Sequence, residues 1–90
     1  MVAKIIWWSQ QKTQGICQVV DEHGVVQKYF LLESQIVQRP QQIRAGYYAK
    51  FRDVLAPRRP DLLPVAVNVV VSERPFAEHA GVDALKAGAE

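Results

Sequence analysis

Few side chains in this chain are placed to do covalent or metal chemistry. The two histidines, His23 and His79, lie far apart, and neither has a partner at metal-ligand spacing. Cys17 is the only cysteine, which excludes a zinc-thiolate framework and an internal disulfide. It stands in an apolar run with no marked base nearby, so it reads as a buried, inert thiol. Asp21 and Glu22 are adjacent carboxylates in a turn cluster, where solvated charge is the default. Lys12-Thr13 lacks the Gly-rich context of a phosphate loop. These features point away from an enzyme, and no cofactor or metal is expected. The chemistry left is stacking and charge. Trp7 and Trp8 are neighbours in the β-prone run Lys4-Ile5-Ile6-Trp7-Trp8. Strand residues alternate faces, so the two indoles point to opposite sides. One can enter a core; the other stays on the surface. Lys12 and the adjacent pair Arg58-Arg59 lie in breaks between apolar runs, where cations can meet phosphates. Lys4 and Arg44 stand behind them.

The elements that must position these groups are short strands. Lys4–Trp8 is the first, and Ser9-Gln10-Gln11-Lys12 is a polar break. Gly15–Val20 is the second, with Gly15 marking a bulge, a bend or a close backbone approach. Asp21-Glu22-His23-Gly24 is a turn whose Gly supplies positive φ, so strands two and three (Val25–Leu32) form a hairpin. Residues 34–46 form a Gln-rich connection. Ser34-Gln35-Ile36 suits one helical turn capped by Ser34, and Ile36 and Ile43 are expected to reach the core. Tyr47–Leu55 is the fourth strand, with Ala49, Phe51 and Val54 facing inward. Residues 56–64 hold three prolines and form an exposed loop. Val65–Val71 is the fifth strand. Residues 76–90 are Ala-rich and fit either a helix weakened by Gly81 and Gly88 or a frayed tail.

The expectation is an all-β domain over residues 1–73, a five-stranded barrel of OB type, followed by a short tail or helix over 74–90. An SH3-like barrel fits the strand count nearly as well. Ninety residues make one small domain. Residues 1–75 hold ten Lys or Arg against six acids, a net +4, while the rest is acidic. A basic folded part suits a nucleic-acid partner without requiring one. The chain has no apolar run near 18 residues and no signal-peptide layout, so the cytoplasm is the expected address, with no membrane contact.

The order of residues resembles the cold-shock domain, a small OB-fold that binds single-stranded nucleic acid, over roughly residues 4–71. That family opens with a strand ending Trp-Phe-Asn, two variable residues, then Lys-Gly-Phe-Gly-Phe-Ile. Here the register holds Trp7-Trp8-Ser9, Gln10-Gln11, then Lys12-Thr13-Gln14-Gly15-Ile16-Cys17. The family's Val-Phe-Val-His-Phe-Ser-Ala-Ile corresponds to Tyr29-Phe30-Leu31-Leu32-Glu33-Ser34-Gln35-Ile36. Gly46 and Phe51 keep the fourth strand's spacing. Leu63-Pro64-Val65-Ala66-Val67-Asn68-Val69 keeps all of Gly-Pro-x-Ala-x-Asn-Val except the first Gly.

The resemblance implies a binding face made of Trp7, Gln14, Ile16, Phe30 and Leu32. Two rings survive there. Gln14 and Ile16 replace stacking Phe residues, Leu32 replaces a His, and Glu33 replaces a further ring. Two stacked bases give about 2 to 6 kcal/mol, whereas micromolar binding needs about 8. Phosphate contacts from Lys12, Arg58 and Arg59 must supply the rest. The expected partner is single-stranded RNA or DNA, bound with little sequence preference. A competing reading uses the same face differently. Trp7, Ile16, Phe30 and Leu32 together form an exposed apolar patch, which suits a protein partner or a second copy.

Overall fold

The computed structural model describes residues 1–76. The expected tail therefore lies almost wholly outside the described residues. Among the described residues eight strands form one sheet: β1 (Val2–Ser9), β2 (Gln14–Val20), β3 (Val26–Leu32), β4 (Ile36–Gln38), β5 (Tyr48–Lys50), β6 (Asp53–Leu55), β7 (Val65–Val67) and β8 (Val69–Ser72). Their spatial order is β4-β8-β5-β1-β2-β3-β7-β6. The only helical element among the described residues is a 3-10 turn, Glu33–Gln35. The described residues are thus all-β.

The sheet must curl. β7 and β8 are separated by one residue, Asn68, yet stand near opposite ends of the strand order. β5 and β6 behave alike. The two pairs share a single antiparallel register, with Tyr48 opposite Ser72, Lys50 opposite Val70, Asp53 opposite Val67 and Leu55 opposite Val65. A bent hairpin therefore joins the two ends of the order.

This differs from the two unbroken strands expected over 47–55 and 65–71. Asn68 adopts φ 53°, a left-handed conformation that interrupts a pleat and that Asn tolerates better than most residues. On the opposite strand, Phe51 turns into the core and bonds to the first residue instead. Its N–H donates to the Met1 carbonyl at 3.0 Å, and its own carbonyl accepts from the Met1 ammonium at 2.6 Å.

The core lies on the concave side. Ile5, Cys17, Leu31, Ile43, Phe51 and Val69 are its largest fully buried side chains. Each of the five hydrocarbon side chains among them contributes about 1.5–3 kcal/mol by leaving water. Tyr29 meets Phe51 edge-on, with centroids 5.2 Å apart and planes at 67°, a favoured aromatic geometry. Ile43 reaches the core as expected, and Ile36 packs against it. Val54 does not join them: it lies opposite buried Ala66 but stays 39% exposed, because β6 is the last strand of the order.

The turns explain the register. Asp21 Oδ1 accepts from the N–H groups of His23 (2.8 Å) and Val25 (2.9 Å), and Gly24 takes φ 81°. The turn expected between β2 and β3, with Gly24 at positive φ, is present, and the Asp21 carboxylate makes it an Asx-type turn. The single helical turn after β3 also exists, but Ser34 does not cap it. The cap position is Leu32, no side chain bonds there, and Ser34 lies within the turn. Ile36 belongs instead to β4, which pairs in parallel with β8.

Candidate nucleic-acid interface

The outer face of β1, β2 and β3 is set by strict alternation on β2 and β3. Gly15, Cys17, Tyr29 and Leu31 are buried, so Gln14, Ile16 and Gln18 on β2, and Lys28, Phe30 and Leu32 on β3, face outward. On β1 the alternation is interrupted. Ile5 pairs with Cys17, but the next pair is Trp7 with Ile16, which leaves Ile6 as a bulge residue. The extra residue places Trp7 beside Ile16 on the outer face. Trp7 is 44% exposed. Trp8 packs against the core, and its indole N–H finds no acceptor among the described residues.

Gly15 makes this arrangement possible. A Cβ there would fall 2.7 Å from Trp8 Cε3 and nearer still to the Trp7 carbonyl oxygen. Of the three roles the sequence left open for this glycine, close approach is the one found.

The pairings assemble a transverse row. Trp7 is opposite Ile16, Ile16 opposite Phe30, Phe30 opposite Val65, and Val65 opposite Leu55. Directly opposed residues share a face, so five apolar side chains cross five strands in one line. Leu55 at its end is 55% exposed, and Ile16, Phe30 and Val65 are half-buried. Gln14 and Leu32 oppose each other in the next row, with Ser9 opposite Gln14. All five face residues named from the sequence therefore come together.

The named cations flank this face from two ends. Lys12 is exposed in the β1–β2 turn, where its N–H donates to Ser9 Oγ at 3.1 Å. That turn is tied to the end of β3 by the Glu33 N–H donating to the Thr13 carbonyl at 3.1 Å. Arg58 and Arg59 are exposed in the 56–64 loop. This loop leads into β7 from the Lys28 end of β3, since β7 and β3 run parallel and the Phe30 N–H donates to Pro64 O at 2.8 Å. Arg59 Nε lies 3.7 Å from Asp61 Oδ1, a highly exposed pair that binds weakly and leaves the guanidinium free to exchange partners. Glu33, which directly follows Leu32 of this face, sits 3.6 Å from Arg39 Nη1, which offsets its charge, while Asp53 of β6, opposite Val67 and two residues from Leu55, is an acid of the outer face itself.

Cys17 is fully buried beneath this face, and burial pushes its thiol up to about 12. It has no part in surface chemistry. Among the described residues, no three His, Cys, Asp or Glu side chains gather as a metal site needs, and no helix is long and apolar enough to cross a membrane.

Sequence reasoning missed Val65, Leu55, Lys28 and Gln18. Lys28 and Gln18 were within reach, because each is two residues from a named face residue on the same strand. Val65 and Leu55 depend on the β3–β7 and β6–β7 registers, which no local pattern fixes. Comparison with family models, with curated proteins and with solved structures finds no match to this chain.

Proposed function

We propose that the outer face binds single-stranded RNA or DNA with little sequence preference, and that the curled sheet is a divergent OB barrel of cold-shock type. The carrying observation is the row in which Trp7 and Phe30 flank Ile16 on an outward face, two strand spacings or roughly 10 Å apart. Trp7 and Phe30 stack bases. Lys12, Arg58 and Arg59 contact phosphates from the two ends, and Gln14 lies within reach of a base edge. Reading β5–β6 and β7–β8 as two bent strands, which their common register supports, leaves six: the three-residue β4 beside β8, and five longer strands in the order 1-2-3-5-4, the fourth returning to the first. Two left-handed residues, Thr13 (φ 52°) and Asn68 (φ 53°), fall where the cold-shock pattern has Gly and Asn. The role is binding rather than catalysis, and a reducing compartment such as the cytoplasm suits the lone buried thiol.

The test is a titration with short oligo-thymidine or oligo-uridine strands, followed by tryptophan fluorescence at two salt concentrations. Quenching that weakens with salt, and is lost in Trp7→Ala while Trp8 still emits, is the expected result. Unchanged emission from the wild type ends this reading.

One observation favours a second reading. Only two of the five side chains in the row are rings, and the row runs on through Val65 to exposed Leu55. Such a stripe suits a protein partner or self-association. Dimers in sedimentation, broken by Leu32→Glu or Leu55→Glu, would support it.

A further inference from the structure

A second row runs beside the aromatic one. Lys4 lies opposite Gln18, and Gln18 opposite Lys28. Gln18 is two residues from Ile16 on β2, and Lys28 is two from Phe30 on β3, so both rows share the outer face. Their separation along a strand is roughly 7 Å. Each ring therefore has a lysine on its own strand and on the same side: Trp7 with Lys4 on β1, Phe30 with Lys28 on β3. Ile16 and Gln18 on β2 repeat the pattern without ring or charge. Both lysines are exposed, and neither makes an ion pair or side-chain hydrogen bond among the described residues. No Asp or Glu stands in either row.

Resting on the reading above, we infer that this face holds two nucleotide subsites of the same build, each a ring for the base and a lysine for the phosphate. A strand lying across the sheet, perpendicular to β1–β3, meets both subsites in turn. Its bases lie along the Trp7–Phe30 row and its phosphates along the Lys4–Lys28 row. The second row is on the side away from Lys12, at the end of β3 from which the loop carrying Arg58 and Arg59 leads into β7. At these two subsites the backbone track thus runs on one side of the rings, leaving Lys12 to the phosphate of a flanking nucleotide. Lys4 and Lys28 supply its centre, and the arginine loop supplies its flank.

The test compares three double variants with the wild type, using an oligo-thymidine strand over a range of salt. Lys4→Gln/Lys28→Gln removes both phosphate contacts. It is expected to weaken binding about tenfold at low salt and to lower the slope of log K against log salt by about 1.4, at roughly 0.7 per contact. Its quenching at saturation stays at the wild-type level, because the rings are intact. Lys4→Arg/Lys28→Arg keeps the slope. Arg52→Gln/Arg74→Gln removes the same charge outside both rows and leaves the slope unchanged. An unchanged slope in the first variant, or an equal loss in the first and third, overturns the two subsites while base stacking stands. No quenching in the wild type sinks the parent reading and the subsites together.

Discussion

Trp8 lies over Gly15 so closely that a methyl group has no room between them. The missing Cβ would fall 2.7 Å from the indole Cε3, and the Trp7 carbonyl closes the space from the other side. One glycine thus lets Trp8 pack inward where β1 crosses β2, while Trp7 is held outward. The obstruction includes backbone, so it cannot be relieved by a side-chain rotation. Gly15→Ala is expected to destabilise the fold by about 1–3 kcal/mol despite its lower unfolded-state entropy. Chemical denaturation monitored by tryptophan emission checks this. A wild-type midpoint would show that the two strands have slack.

Thr13 presents the opposite case. It holds φ 52° in the β1–β2 turn, a conformation poorly suited to a β-branched residue. Its hydroxyl donates to the Lys12 carbonyl at 2.7 Å, an exposed bond that offsets little of the strain. Thr13→Gly is expected to stabilise by about 0.5–1 kcal/mol, the relief of strain outweighing the greater entropy of glycine. Lys12 remains, so oligonucleotide affinity is expected to hold. Loss of stability would show that the hydroxyl contributes more than the backbone costs.

The strand positions on β1, β2 and β3 were legible because alternation and turn residues act locally. The buried series Gly15, Cys17, Tyr29, Leu31 leaves Gln14, Ile16, Phe30 and Leu32 no other face. The opposite facing of Trp7 and Trp8 was legible too. The bulge at Ile6 was not, since a spare residue shows only against a partner strand. The breaks at Phe51 and Asn68 were hidden for a related reason. They arise where one hairpin must serve both ends of a curled sheet, a demand set by closure and not by the residues nearby. Val37 and Ile36 read as connection because β4 has only three residues and pairs with a strand more than thirty residues away.

If stacking is the principal contact, filling the gap in the aromatic row should strengthen it. Ile16 stands directly between Trp7 and Phe30 and is half-buried, so a larger ring there has solvent to grow into. Ile16→Phe adds a third ring to the line. From the low end of about 1 kcal/mol per stacked base, the expected gain in oligonucleotide affinity is at least about fivefold. The same substitution makes little difference to a protein interface that only needs apolar area. Unchanged affinity, together with dimers detected by sedimentation, would favour the second reading of the face.

Cys17 offers a prediction about pH that does not involve the surface. Burial raises its thiol from 9.0 to about 12, the larger effect, while a backbone hydrogen bond opposes it. The unfolded chain therefore releases this proton near 9 and the folded chain only near 12. Between those values the unfolded state binds fewer protons, so stability falls as pH rises, by up to about 1.4 kcal/mol per unit. Below 9 the contribution is constant. Urea midpoints measured from pH 8 to 11 should drop more steeply for the wild type than for Cys17→Ala, whatever the variant loses at neutral pH through its cavity. A thiol reagent at neutral pH gives a second measure: the folded protein should react only as fast as it opens. Rapid labelling under native conditions would mean that the β1–β2–β3 face parts readily. The rows built across that face would then lack the rigid backing that two fixed subsites need.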